Sequence, residues 1–114
     1  LAESDVITIH APLNERTKDL ITRKELHAMN PNGYIVNMGR GGIINEADLA
    51  DALDSGVIAG AAVDVFTKEP LPADHPYLTM TKRNKLLLTP HIGWASKEAR
   101  ELLVAKIAEN IKTL

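Results

Sequence analysis

Four short runs of branched and small apolar residues recur along the chain at nearly even spacing, and this rhythm constrains the fold more than anything else. The runs are Val6-Ile7-Thr8-Ile9, Tyr34-Ile35-Val36-Asn37, Gly60-Ala61-Ala62-Val63-Asp64-Val65 and Leu86-Leu87-Leu88-Thr89. Their starts lie roughly 26 residues apart, the length of one strand plus a crossover helix. The runs do not alternate apolar with polar residues, so they read as parallel strands covered on both faces. An α/β architecture follows.

The segments between the runs carry helix signals. Thr22 stands as an N-cap with Glu25 three residues later, and Ile21 and Leu26 flank it as a hydrophobic staple. Asn30-Pro31-Asn32-Gly33 stops that helix. Asn45 caps the next one, with Ile44 and Leu49 as the staple and Ser55-Gly56 as the close. Residues 67–85 hold Pro70, Pro72 and Pro76 and read as a long irregular loop with at most a short helical turn. From about Ser96 a final helix sets Leu103, Ile107 and Ile111 on one side.

Composition removes several function classes. The formal net charge is −2, and the densest basic cluster, Lys82, Arg83 and Lys85, reads as a solvated loop, so no nucleic-acid partner is expected. The absence of cysteine excludes disulfides and a thiolate nucleophile, and fits a reducing, cytoplasmic setting. No apolar run approaches the length of a membrane span, so no membrane partner is expected. The chain starts at Leu1 without methionine and stops at Leu114 inside a helical pattern, so it reads as cut at both ends.

In a parallel sheet, ligands bind in the crevice outside the C-terminal strand ends. The residues just past the four runs include His10-Ala11-Pro12, Met38-Gly39-Arg40-Gly41, Phe66 to Glu69, and His91-Ile92-Gly93-Trp94. One sheet edge therefore gathers a guanidinium, a carboxylate and an imidazole. An imidazole exchanges protons near neutral pH, and a carboxylate partner orients it and stabilises its protonated form. A guanidinium grips a substrate carboxylate with two parallel hydrogen bonds. Asp64 ends a buried run and needs hydrogen-bonding partners, whether a ligand or the following turn. Blander roles exist for each residue. Glu69 can be solvated, the Gly39-Arg40-Gly41-Gly42 turn can be only a turn, and Trp94 reads as packing. His27 and His75 read as solvent-facing, and the spacings of His10, His75 and His91 match no metal site.

These edge segments resemble the NAD-binding domain of the D-isomer-specific 2-hydroxyacid dehydrogenases. The resemblance rests on Ser4 to Leu13, Asn37 to Gly42, Ala62 to Phe66 with Glu69-Pro70, and Thr89 to Gly93, in that order. It implies a parallel-sheet Rossmann-type fold, of which residues 1–114 are the second half, about four βα units. The glycine-rich first half and the substrate domain are absent from this partial domain.

The resemblance also implies roles. Arg40 holds the substrate carboxylate and carbonyl, His91 is the acid/base and Glu69 is its carboxylate partner. Asp64 hydrogen-bonds the nicotinamide carboxamide. Ala11, Met38, Gly39 and Gly93 line the nicotinamide and its ribose, with Arg40 and His91 beside them. The implied cofactor is NAD, with NADP open. The implied substrate is a small 2-hydroxy or 2-keto acid, and the parent enzyme is expected to be a homodimer. Trp94-Ala95-Ser96 is most similar to bacterial glycerate dehydrogenases, which are hydroxypyruvate reductases. The expected function is thus a fragment of an NAD-dependent oxidoreductase, inactive when isolated. The competing expectation is a non-catalytic α/β binding or assembly module that retains the motif.

Overall fold

The computed structural model describes residues 1–113. Its strands are β1 (Val6–Ile9), β2 (Tyr34–Asn37), β3 (Gly60–Val63) and β4 (Leu86–Leu88). They form one sheet in the order β1-β2-β3-β4, and every neighbouring pair is parallel. The α/β expectation and all four strand positions therefore stand. The third strand is shorter than its apolar run, which leaves Asp64 and Val65 just beyond its end.

Helix α1 (Arg23–His27) begins where the capping residues place it. One Glu25 carboxylate oxygen accepts both the Thr22 backbone N–H, at 3.0 Å, and the Thr22 hydroxyl, at 2.6 Å. Helix α2 (Glu46–Asp54) starts with the Asn45 side chain accepting the Asp48 N–H at 3.1 Å, and Gly56 closes it at φ +74°. Each such cap stabilises its helix by about 1 kcal/mol. The 67–85 stretch contains a four-residue helix, α3 (Pro76–Thr79), and a 3₁₀ turn over Arg83–Lys85. Helix α4 (Lys97–Lys112) is capped by Ser96, whose hydroxyl accepts the Ala99 N–H.

Within residues 1–113 the cover lies on one face of the sheet. Ile9, Ile35, Ala61 and Val63 share a core with Leu26, Leu49, Leu53 and Tyr77, so α1, α2 and α3 all pack on the same side. On the opposite side the register aligns Thr8, Val36, Ala62 and Leu87, and Leu87 is 63% exposed. The topology accounts for this. Right-handed crossovers that always step the same way along a sheet put their helices on one face. Helix α4 does not cover the other face either, since Leu103, Ile107 and Ile111 are all exposed.

Candidate active site

The turn that follows β2 is organised by Asn37, a buried residue. Its side-chain oxygen accepts the Gly39 N–H and its amide donates to the Arg40 carbonyl, both at 3.0 Å. This bracket swings Arg40 off the strand end. Among the described residues the Arg40 guanidinium donates only to the Gly39 carbonyl, at 2.8 Å, and it has no acidic partner. Asn37 is the residue whose part the sequence did not disclose, since a strand-end asparagine has many uses.

The second organiser is Asp64, also buried. Its Oδ1 accepts the Thr89 hydroxyl at 2.5 Å and the Ile92 N–H at 2.9 Å, and its Oδ2 accepts the Gly93 N–H at 2.9 Å. Burial pushes the Asp64 carboxyl up, but the Thr89 hydroxyl, the two N–H groups and the nearby His91 together hold it below the usual range. Asp64 therefore does not cap its own following turn; its partners lie 25 to 29 residues further along the chain. Asn at position 64 would present an NH₂ to a donor. Asp64→Asn is expected to destabilise the chain by roughly 1–3 kcal/mol, read from urea unfolding at neutral pH. The folded Asp64 value lies below the unfolded one, so its stabilisation is complete above the unfolded carboxylate range. It is lost as pH falls through the folded value, and the variant should lose less stability over that acid window.

The loop anchored on Asp64 holds His91 at φ +55°, a left-handed conformation uncommon outside glycine. His91 Nδ1 meets Glu69 Oε2 at 2.8 Å, and Glu69 Oε1 accepts the Phe66 N–H at 3.0 Å. An ionised carboxylate only accepts, so Nδ1 carries the proton in this contact and Nε2 is the nitrogen left to exchange one. The His91 hydrogen bond, and after it the Phe66 N–H, hold the Glu69 carboxyl below its usual range.

Arg40, Asp64, His91, Met38 and Gly93 line one cleft of about 320 Å³, together with His10 and Trp94. Glu69 is not in its wall. It stands behind His91 and lines a neighbouring, mostly apolar cleft of about 490 Å³. Ala11 and Gly39 are not in the lining of the first cleft. Their backbones lie against each other, and a Cβ on Gly39 would meet the Ala11 carbonyl oxygen at 2.7 Å.

Two expectations are corrected at this edge. Trp94 is not a packing residue: it is 59% exposed, and its indole N–H donates to the His91 carbonyl at 2.7 Å. His75 is not solvent-facing: it is buried and meets Glu46. His27 is exposed, as expected. Among the described residues no group of three or more His, Cys, Asp or Glu residues is placed to hold a metal.

The D-isomer specific 2-hydroxyacid dehydrogenase NAD binding domain matches residues 1–93. The chain belongs to this family. Glycerate dehydrogenase of Methylorubrum extorquens is 41% identical over 112 residues, 98% of this chain and 35% of the relative. Glyoxylate/hydroxypyruvate reductase B of Pectobacterium carotovorum is 42% identical over 111 residues, 97% of this chain and 34% of the relative. NAD-dependent formate dehydrogenase from Staphylococcus aureus, solved with NAD, superposes with a TM-score of 0.81 at 36% identity, covering 97% of this chain and 33% of that one. The chain thus spans about a third of the length of the curated dehydrogenases it matches.

The cleft fits the nicotinamide end of such a cofactor. Its lining sets Met38 and Trp94 beside the polar Arg40, Asp64 and His91, and a Cβ on Gly93 would come within 2.5 Å of Met38 Cε and 3.1 Å of Asp64 Oδ2, so only glycine lets these two side chains pack there. Among the described residues no helix is long and apolar enough to cross a membrane.

Proposed function

We propose that this 2-hydroxyacid dehydrogenase segment supplies the reacting edge of an oxidoreductase that interconverts a 2-keto acid and a D-2-hydroxy acid with NAD(H). The observation that carries this is the His91–Glu69 contact of 2.8 Å, with His91 in the same cleft as an Arg40 that has no acidic partner among the described residues. A nicotinamide held beside Met38, Asp64 and Gly93 would supply or take the hydride at the substrate's C2. Arg40 binds the substrate carboxylate and polarises the carbonyl. In reduction, His91 gives the proton on Nε2 to the carbonyl oxygen as it becomes the hydroxyl; in oxidation it takes that proton back. Glu69 holds Nδ1–H and stabilises the imidazolium between turnovers.

Ala11, Met38, Gly39, Asp64 and Gly93 are assigned to the nicotinamide side of the cleft, Ala11 and Gly39 through backbone groups just behind its wall. Glyoxylate and hydroxypyruvate, or glycerate in the reverse sense, are the substrates the relatives' names favour. The matched formate dehydrogenase indicates that this half of the fold does not choose the substrate alone. The cofactor is NAD, with NADP as the alternative, since matched structures were solved with NAD and with NADPH. The sequence holds no GxGxxG turn, so residues 1–114 are assigned to the second half of the dinucleotide-binding domain.

The test uses a full-length enzyme carrying this segment and hydroxypyruvate-dependent NADH oxidation. Arg40→Ala is expected to raise KM for the keto acid by roughly 100-fold, the scale of a lost charge-assisted bidentate contact. NADH affinity should change little. Unchanged KM in that variant would remove Arg40 from substrate binding.

A further inference from the structure

Glu69 sits on a stretch that has no anchor of its own. Residues 67–70 are all exposed, and the Glu69 side chain is 37% exposed. Its carboxylate nevertheless meets both His91 Nδ1 and the Phe66 N–H within 3.0 Å. Something must hold the loop so that these two distances are kept together.

A single carboxylate on a core helix touches both ends of that loop. Glu46 is the first residue of α2, and its side chain is only 14% exposed. Its Oε1 accepts the Thr67 N–H at 2.7 Å, one residue past Phe66. Its Oε2 meets His75 Nε2 at 2.7 Å. The other His75 nitrogen, Nδ1, accepts the Tyr77 N–H at 3.1 Å and caps α3. Because Nδ1 is used as an acceptor, the imidazole proton lies on Nε2, pointing at Glu46. The Tyr77 ring closes the figure, packed edge-on to Phe66 with centroids 6.3 Å apart and tilted against His75 at 4.8 Å.

We propose that Glu46 and His75 are positioning residues for the Glu69–His91 pair, bracketing the 67–75 loop so that the Glu69 carboxylate stays on the imidazole. This rests on the role given to Glu69 and His91 above. A buried ionic contact is poor evidence for stability, since apolar replacements of the same shape often do as well. Its location is the informative feature. The two contacts fall at the beginning and end of the one loop that carries Glu69, and Phe66, whose N–H holds Glu69, is flanked by Thr67 and packed edge-on against Tyr77. Besides Glu69 and His75, the titratable groups of the 67–75 loop are Lys68 and Asp74, and neither contacts Glu46 or His75 among the described hydrogen bonds and ion pairs.

The test is NMR on the full 114-residue chain, following the titration of the Glu69 side-chain carboxyl carbon alongside amide-exchange protection of α2. Glu46→Ala should move the Glu69 midpoint upward, towards an ordinary glutamate, while Leu49 and Leu53 keep their protection. Glu46→Gln retains an acceptor for the Thr67 N–H and should restore most of the shift. His75→Asn, which can still cap α3, should give an intermediate shift. A Glu69 midpoint unmoved in Glu46→Ala overturns the proposal. So does a shift that appears only with loss of α2 protection and that Glu46→Gln fails to restore, because that pattern belongs to general stability. His91→Ala is the reference that separates the two levels. If it leaves the Glu69 midpoint in place, the His91–Glu69 pairing itself fails. If it moves the midpoint and the Glu46 variants do not, only the bracket fails.

Discussion

Alanine at position 41 is expected to cost the chain about 3 kcal/mol or more of its stability at neutral pH and room temperature. A Cβ built on Gly41 lies 1.9 Å from the Phe66 carbonyl carbon, 2.2 Å from its oxygen and 2.3 Å from the Thr67 nitrogen. All three are backbone atoms, so no side-chain rotation relieves the overlap. The turn after β2 and the segment after β3 must move apart by more than an ångström, and each is tied down elsewhere. Asn37 brackets one, while Glu46 and the Phe66–Tyr77 contact hold the other. Overpacking a well-packed site costs roughly 1–3 kcal/mol, and backbone-on-backbone overlap belongs at or beyond the upper end. A chain of this size has only about 5–10 kcal/mol in all. Gly42→Ala is the control next door. Its φ of +87° disfavours alanine, by about 1–2 kcal/mol, but its Cβ would meet nothing closer than 3.8 Å. Urea unfolding followed by circular dichroism should therefore show a much lower midpoint for Gly41→Ala than for Gly42→Ala. Equal midpoints would mean that the close approach of the two strand ends is not maintained in solution.

The sequence made some of this legible because the signals are local. Strand runs, capping residues and the glycine-rich turn each occupy a few consecutive residues, so Thr22–Glu25, Asn45 and Gly56 are found where pattern alone places them. The gathering of Arg40 and His91 in one cleft, with Glu69 on the imidazole, follows from parallel topology, because all C-terminal strand ends share an edge. What escaped is non-local. His75 lies in a proline-rich loop and looks solvated until Glu46, 29 residues earlier, is brought beside it. Asp64 has partners 25 to 29 residues away, so the sequence showed its need for donors and not their identity. The one-sided cover within residues 1–113 is a matter of topology: apolar strands predict that both faces are to be covered, not which parts of the fold cover them.

Removing the imidazole is expected to have the largest effect on chemistry. In a full-length dehydrogenase carrying this segment, His91→Ala should lower kcat for keto-acid reduction by roughly 10²–10⁴-fold, the range for losing a positioned proton donor. KM should change far less than in Arg40→Ala, because the proposed mechanism gives the substrate carboxylate to the guanidinium. Glu69→Ala should fall between the wild type and His91→Ala. It leaves the proton on a ring whose orientation is no longer fixed by the 2.8 Å contact, while Asp64 still anchors the loop through Ile92 and Gly93. The two substitutions should be far from additive, since a carboxylate that acts only through the imidazole has nothing left to orient once the ring is gone. Steady-state kinetics on the two single variants and the double variant decide this. If Glu69→Ala lowers kcat as much in the His91→Ala background as in the wild type, Glu69 acts on the reaction independently of His91, and the pair is not a unit.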